Sequence, residues 1–151
     1  MEPQRILFVC TGNSCRSVMA QGLLQHRLKQ VESRLREPIE VLSAGTGAME
    51  GMGASRETVE LLQKKLGVDM SGHFARRLTP TMIKQATVIF AMEEHHLEET
   101  LRKAPEAKGK TFLLRNYGLT DPLEMGDPNI PDPVGKPMEI YEVCLDRKSV
   151  V

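Results

Sequence analysis

A cysteine and an arginine separated by five residues form the stretch of this sequence best suited to chemistry. The stretch reads Cys10-Thr11-Gly12-Asn13-Ser14-Cys15-Arg16-Ser17. It follows an apolar run, residues 6–9, that is typical of a buried strand, and it precedes residues 18–28, which have helical periodicity. A loop in that position directs backbone N–H groups and the positive end of the helix at one point. The sequence therefore predicts a binding loop for a phosphate-like anion.

Cys10 is the candidate nucleophile of this loop. Helix-terminal amides and a nearby arginine favour a thiolate, which could attack phosphorus and form a phosphocysteine. Arg16 would hold two equatorial oxygens and neutralise charge in the transition state. Gly12 lets the backbone approach the anion and can adopt a positive φ, and the Ser17 hydroxyl could donate to the sulfur. A buried structural cysteine beside a surface arginine is the alternative interpretation.

Hydrolysis also needs an acid that protonates the leaving group. Three Asp-Pro pairs, which begin at Asp121, Asp127 and Asp132, lie in a long segment rich in Asp, Pro and Gly that covers residues 118–137. Composition does not choose among them, because an Asp-Pro pair is also a common element of solvated turns.

Strand and helix patterns alternate along the chain. Strands are predicted near residues 5–9, 39–42, 87–92 and 111–114, and helices near 17–31, 55–66 and 93–103, with a short helix capped by Thr79 and a last helix from about residue 137. This alternation predicts a single α/β domain over residues 1–151, in which helices cover both faces of a four-stranded parallel sheet. The anion loop then lies at the carboxyl end of strand 1, where such sheets bind ligands.

Composition narrows the cellular setting and the partners. The 151 residues include 20 basic and 20 acidic side chains, so no strong net field favours nucleic acid or a membrane surface. No apolar run approaches the roughly 20 residues of a membrane span, and three cysteines suggest no disulfide framework. We expect a cytoplasmic, monomeric protein without metal or cofactor.

Residues 5–25 resemble the active-site segment of the low-molecular-weight protein-tyrosine-phosphatase family, with its Cys-x-Gly-Asn-x-Cys-Arg-Ser loop. That family also contains bacterial protein-arginine phosphatases. The resemblance continues at Ser43-Ala44-Gly45 and at His73-Phe74-Ala75-Arg76. It implies a phosphatase that acts on phosphorylated proteins through a phosphocysteine.

The resemblance also implies roles for individual residues. Cys10, Arg16 and Asp132 would be catalytic, because Asp132-Pro133-Val134-Gly135 matches the register of the family's general acid, with Asp127 as the second choice. Side chains that match Asn13, Ser17, Ser43 and His73 would hold the loop's shape by hydrogen bonds. The loop residues that would bind phosphate are Thr11, Gly12, Asn13, Ser14, Cys15 and Ser17.

Cys15 has two interpretations. In the family, the matching cysteine can form a reversible disulfide with the nucleophile, which would protect Cys10 from further oxidation. Alternatively, Cys15 is a small packing residue beneath the loop.

Two departures from the tyrosine-phosphatase pattern concern the substrate. Ser14 stands where tyrosine-specific members carry a bulky aliphatic residue and arginine phosphatases carry threonine. Val134-Gly135 replaces a pair of aromatic residues that flank a phosphotyrosine ring in many members. Both departures favour phosphoarginine, or a broad range of phosphomonoesters, over phosphotyrosine.

Two other functions fit the same loop. One is arsenate reduction, which needs further cysteines to relay a disulfide, and late in the chain only Cys144 is available. The other is a regulatory module that binds an anion without catalysis.

Overall fold

Four parallel strands form the centre of the protein. The structure, a computed structural model, describes residues 4–35 and 37–117. The strands are β1 (Gln4–Cys10), β2 (Ile39–Gly45), β3 (Val88–Ala91) and β4 (Thr111–Leu113), and their order in the sheet is β2-β1-β3-β4. All neighbouring strands pair in parallel, which confirms the predicted sheet.

Helices connect the strands and cover the sheet. They are α1 (Arg16–Gln30), α2 (Arg56–Leu66), α3 (Pro80–Gln85) and α4 (Glu94–Lys103), with short 3₁₀ segments at Glu32–Arg34, Pro105–Lys110 and Leu114–Asn116. Within the described part of the chain, none of the helices has both the length and the apolar character that a bilayer span requires.

The alternation of side chains along β1 produces two apolar cores, one on each face of the sheet. Phe8 packs on one face with residues of α1 and α2, including Met19 and Leu62. Leu7 and Val9 pack on the opposite face with residues that include Ile83 of α3 and the partly buried Leu101 of α4. Helices therefore lie on both faces, as the sequence predicted.

Local signals in the sequence place several helix ends. The Ser55 side chain accepts a hydrogen bond from the Thr58 N–H at the start of α2, and Gly67 ends that helix in the left-handed conformation, with a φ of 68°. Thr79 caps α3 through the Met82 N–H, with Pro80 in the first turn. Serine and threonine caps satisfy amides that the helix leaves without a partner, so these ends follow from residue type.

The structure extends β1, β2 and α1 beyond their predicted bounds, and β1 covers Gln4–Cys10 instead of residues 5–9. Strand β2 continues to Gly45, because Gly45 pairs with Cys10 at the end of β1. Helix α1 begins at Arg16, one residue earlier than predicted. The predicted segment 118–137 and the last helix lie outside the described residues.

The order of the strands places two loops side by side. From β1 the chain passes to β2 on one side of the sheet, and β3 pairs with β1 on the other side. In the β1–β3 register, Val9 lies opposite Ala91, where β3 ends. The loop after β1 and the start of α4 after β3 therefore meet at the carboxyl edge, at the switch point where such sheets bind ligands.

Gly45 is the point where β2 comes closest to the loop after β1. A Cβ atom on Gly45 would lie 2.3 Å from the Thr11 carbonyl oxygen and 3.0 Å from the Asn13 nitrogen. Both atoms belong to the backbone and cannot rotate away. The absence of a side chain at this position thus lets the end of β2 support the loop.

We predict that Gly45→Ala displaces the loop, lowers the free energy of unfolding by about 1–3 kcal/mol and weakens binding of inorganic phosphate. Urea unfolding and phosphate titration measure the two effects. Gly47→Ala is the matched control, because its nearest contact would be an ordinary 3.7 Å to the Thr11 side chain. Equal behaviour of the two variants would contradict the prediction.

Candidate active site

Asn13 fixes the shape of the loop between β1 and α1. It has a φ of 53° and is fully buried. Its Oδ1 accepts a hydrogen bond from the Arg76 N–H at 2.9 Å, its Nδ2 donates to Ser17 Oγ at 2.8 Å, and its carbonyl accepts one from His73 Nε2 at 2.9 Å. Asparagine tolerates the left-handed region better than most residues.

Gly12 can adopt a positive φ, but the structure does not use that freedom. Asn13 is the residue of the loop with a positive φ, and Gly12 lies outside that region. The reason is that the Asn13 side chain makes two of the hydrogen bonds just described, through Oδ1 and Nδ2, which glycine could not make. Gly12 does leave the loop uncrowded, since a Cβ atom there would have its nearest contact with Ser14 Oγ at 3.4 Å.

The Cys10 sulfur lies at the base of the loop and receives two polar contacts. The Asn13 N–H donates to it at 3.2 Å, and Ser17 Oγ lies 3.0 Å away. Because Ser17 Oγ already accepts a hydrogen bond from Asn13, its own proton is available for the sulfur. Two donors directed at one sulfur suit a negatively charged nucleophile.

His73 braces the loop from outside. A carbonyl oxygen only accepts, so His73 Nε2 must carry the proton in its 2.9 Å contact with Asn13. Burial lowers the pKa of His73, the hydrogen bond to Asn13 raises it and the charge of Arg76 lowers it, with a net shift below the ordinary value. The neutral ring thus supplies the donor that the Asn13 carbonyl needs.

Ser43 does not join this network as the resemblance implied. Its Oγ donates instead to Gln21 Oε1 of α1, at 2.5 Å. Ser43 lies opposite Phe8 in the β1–β2 register, and its side chain faces α1 rather than the loop. The structure therefore brings Asn13, Ser17 and His73 together and leaves Ser43 as a contact between β2 and α1.

Arg16 is the first residue of α1 and is almost completely buried, with 2% of its surface exposed. Its Nη1 donates to Glu93 Oε2 at 2.5 Å, and its Nη2 lies 3.4 Å from Thr11 Oγ1. Burial raises the pKa of Glu93, but the hydrogen bond and charge of Arg16 and the contact with His95 outweigh it, so this pKa is lowered. The buried guanidinium therefore has an ionised partner, as a buried charge requires.

His96 is a further part of the site. It is fully buried, its Nδ1 accepts a hydrogen bond from the Glu93 N–H at 3.1 Å, and its Nε2 lies 2.8 Å from Thr11 Oγ1. The sequence patterns assigned Glu93 and His96 only to a charged helix. Their position directly after a buried strand beside β1 is the signal that could have identified them.

The two remaining loop residues connect the site to α2. Cys15 is buried, and its sulfur donates to Ser55 Oγ at 3.2 Å. Ser14 Oγ lies 3.6 Å from the same sulfur, and the Ser14 carbonyl accepts a hydrogen bond from the Ser55 N–H at 2.9 Å. Cys10 and Cys15 are both free thiols, and their disulfide stays a prediction.

Several predicted positions lie outside the described residues. They are Asp132, its alternatives Asp121 and Asp127, the Val134-Gly135 pair and Cys144. Their roles therefore stay predictions from the sequence.

One group in the described part of the chain has the composition of a metal site. Ligand atoms of Glu93, His95 and His96 lie within 4.8 Å of one another. However, both ring nitrogens of His96 already take part in hydrogen bonds, and Glu93 pairs with both Arg16 and His95. These groups thus orient the arginine and the loop, and we assign them no metal.

Comparison with known proteins identifies the family of this site. The sequence profile described as low molecular weight phosphotyrosine protein phosphatase matches residues 5–148. The chain belongs to this family. It is therefore a cysteine-dependent phosphatase, and the matched region includes the loop from Cys10 to Ser17.

Similar sequences include phosphatases named for two different substrates. A protein-arginine-phosphatase from Geobacillus stearothermophilus is 40% identical over 145 residues, which cover 96% of this chain and 88% of that protein. A putative low molecular weight protein-tyrosine-phosphatase from Klebsiella pneumoniae is 37% identical over 136 residues, which cover 90% of this chain and 83% of the relative.

Similar solved structures also include both a tyrosine phosphatase and an arginine phosphatase. A low molecular weight protein tyrosine phosphatase from T. tengcongensis has a TM-score of 0.85 at 36% identity and covers 97% of this chain and 93% of its own. An arginine phosphatase from Geobacillus stearothermophilus has a TM-score of 0.81 at 38% identity, with coverage of 98% and 88%. The phosphatase fold is thus established, and the identity of the substrate needs a separate argument.

Proposed function

We propose that this phosphatase removes phosphoryl groups from arginine side chains of proteins, with Cys10 as nucleophile. The observation that carries the proposal is the arrangement around the sulfur: two donors at 3.0 and 3.2 Å and, at the start of α1, a guanidinium held by Glu93. A thiolate nucleophile, a loop of amides and a fixed arginine are the parts that phosphoryl transfer requires.

The first step forms the phosphocysteine. The Cys10 thiolate attacks phosphorus on the side opposite the leaving group, an S–P bond forms, and the bond from phosphorus to the substrate nitrogen or oxygen breaks. Arg16 neutralises the charge on the equatorial oxygens. In our proposal, the Asp132 carboxyl gives its proton to the leaving group, which departs neutral.

The second step releases phosphate. The Asp132 carboxylate removes a proton from water as the water oxygen attacks phosphorus, and the S–P bond breaks. The electron pair returns to Cys10, where the Ser17 hydroxyl can stabilise it as a donor. A similar solved structure, an arginine phosphatase variant with a TM-score of 0.84 at 27% identity, carries a phosphorylated active-site serine. A phosphorylated enzyme is thus compatible with this fold.

We predict that Cys10→Ser abolishes hydrolysis of p-nitrophenyl phosphate, whereas Cys144→Ser, a matched control, does not. Asp132→Ala is expected to lower kcat by about 10²–10⁴-fold, the usual contribution of a general acid. Steady-state kinetics of Asp121→Ala and Asp127→Ala provide the comparison among the Asp-Pro pairs. Normal turnover of Cys10→Ser would exclude the mechanism, and a selective loss in Asp127→Ala would move the acid to that residue.

Ser14 supports the choice of phosphoarginine. It is half-buried in the loop, where its hydroxyl oxygen can accept a hydrogen bond from a guanidinium N–H, a donor that a phenol ring does not offer. The chain has no tryptophan and few other aromatic residues that could stack on a phosphotyrosine ring. The arginine phosphatase among the relatives, at 40% identity, agrees with this choice.

We predict that the wild-type protein has a higher kcat/KM for a phosphoarginine peptide than for a phosphotyrosine peptide of the same sequence. Ser14→Ile should shift the ratio towards phosphotyrosine by about tenfold or more, since loss of a polar contact to the substrate costs at least that much. Ser14→Thr, which keeps the hydroxyl, is the control. A wild type that prefers phosphotyrosine, or a ratio that Ser14→Ile leaves unchanged, would refute the assignment.

We also propose that the protein works in the cytoplasm. Its free thiols at Cys10 and Cys15 suit a reducing compartment. The expectation of a monomer stays a prediction.

Two rival functions were arsenate reduction and anion binding without catalysis. The phosphatase names of the relatives reported above favour a phosphatase over both.

A further inference from the structure

His96 is buried in the first turn of α4, yet its ring faces the active-site loop. Its Nδ1 accepts a hydrogen bond from the Glu93 N–H at 3.1 Å, so the proton of a neutral ring lies on Nε2. Burial, together with the charges of Arg16 and His95, lowers the pKa of His96 to about 3, although the Glu93 carboxylate raises it. The ring is therefore neutral throughout the ordinary pH range, and its tautomer is fixed.

The fixed tautomer determines what Thr11 can do. His96 Nε2 donates to Thr11 Oγ1 at 2.8 Å. Threonine has more than one staggered rotamer, and this hydrogen bond selects the one that directs its oxygen towards α4. In that rotamer the oxygen also lies 3.4 Å from Arg16 Nη2. Two N–H groups thus share the two lone pairs of one hydroxyl oxygen.

We propose that His96 is a positioning residue: it holds the Thr11 hydroxyl so that this hydroxyl fixes one edge of the Arg16 guanidinium. The other edge is held by Glu93. The inference rests on the proposed role of Arg16 in phosphoryl transfer, and it adds a residue that touches neither the sulfur nor the arginine.

The geometry explains why a second contact on the arginine matters. The Thr11 contact at Nη2 adds a point of attachment to the Glu93 contact at Nη1. Each added point restricts the rotation of the guanidinium and so helps to keep its fork directed at the equatorial oxygens. The Arg16–Thr11 contact of 3.4 Å is longer than a typical hydrogen bond, so it depends on the threonine oxygen staying where His96 holds it. Small errors in the position of a charged group weaken transition-state stabilisation more than ground-state binding.

A double-mutant cycle tests this inference. His96→Phe keeps a ring and removes both hydrogen bonds, while Thr11→Val keeps the shape of threonine and removes its hydroxyl. Each single variant is expected to lower kcat/KM for p-nitrophenyl phosphate by about 10-fold to 100-fold, the effect of one hydrogen bond to a charged group. Because His96 acts through Thr11, the double variant should be no worse than Thr11→Val alone.

Inhibition constants separate positioning from a general loss of structure. Vanadate adopts the five-coordinate geometry of phosphoryl transfer, whereas inorganic phosphate resembles the ground state. A tilted Arg16 should weaken vanadate binding more than phosphate binding in both single variants. His96→Gln, which can place an amide N–H near the position of Nε2, should recover part of the loss, and His26→Phe on the outer part of α1 is the matched control.

The remaining outcomes overturn the inference. Losses that multiply in the double variant would show that His96 acts independently of Thr11. Full activity of Thr11→Val would show that the hydroxyl does not position Arg16. Thr11→Ser, which keeps the hydroxyl, is the control for that variant. This comparison does not need His96→Phe, so it remains informative if His96→Phe does not fold. A wild-type protein without phosphatase activity would instead refute the proposed function.

Discussion

The hydrogen bonds of Asn13 are the constraint on which the rest of the site depends. This one residue holds a left-handed turn while its backbone N–H, its carbonyl and both ends of its side-chain amide each have a partner. A buried amide without partners is costly, so each of these contacts stabilises the turn. The contact from the Asn13 N–H to the Cys10 sulfur is a consequence of that turn.

The topology of the sheet brings the ends of β2 and β3 next to this loop, and with them Gly45, Glu93 and His96. Because β1 pairs with both β2 and β3, the ends of two strands from distant parts of the chain lie next to it. From the side of β2, Gly45 supports the loop backbone without a side chain. From the side of β3, Glu93 and His96 reach Arg16 and Thr11. Cys10 and Arg16 are thus close together in sequence, but residues from distant parts of the chain set the orientation of the loop and of the guanidinium.

Features that depend on local residue types could be predicted from the sequence, whereas contacts that depend on strand pairing could not. Strand and helix types, the caps at Ser55 and Thr79, and the end of α2 at Gly67 follow from local residue types, so the fold was predictable. The loop with Cys10 and Arg16 was predictable because it is one continuous motif, and the resemblance added His73 from 60 residues away.

Sequence reasoning assigned the wrong partner to Ser43 and missed Glu93 and His96, because these contacts depend on tertiary structure and not on local residue types. The partner of Ser43 depends on which face of β2 meets α1, and the resemblance assigned it to the wrong neighbours. Glu93 lies 77 residues from Arg16 and His96 lies 85 residues from Thr11, so neither contact has a local signature. A charged residue and a histidine at a helix start are ordinary in sequence and acquire a role only through the β1–β3 pairing.

The central claim is that the folded loop directs hydrogen-bond donors at the Cys10 sulfur and presents this sulfur to a phosphate-sized anion. The most direct measurement is the rate of alkylation of each cysteine by iodoacetate at mildly acid pH, followed by peptide mass spectrometry with and without inorganic phosphate. The account predicts that Cys10 reacts fastest of the three cysteines, that phosphate protects it, and that Asn13→Ala removes this advantage. Equal labelling of all three cysteines, or no protection by phosphate, would contradict it.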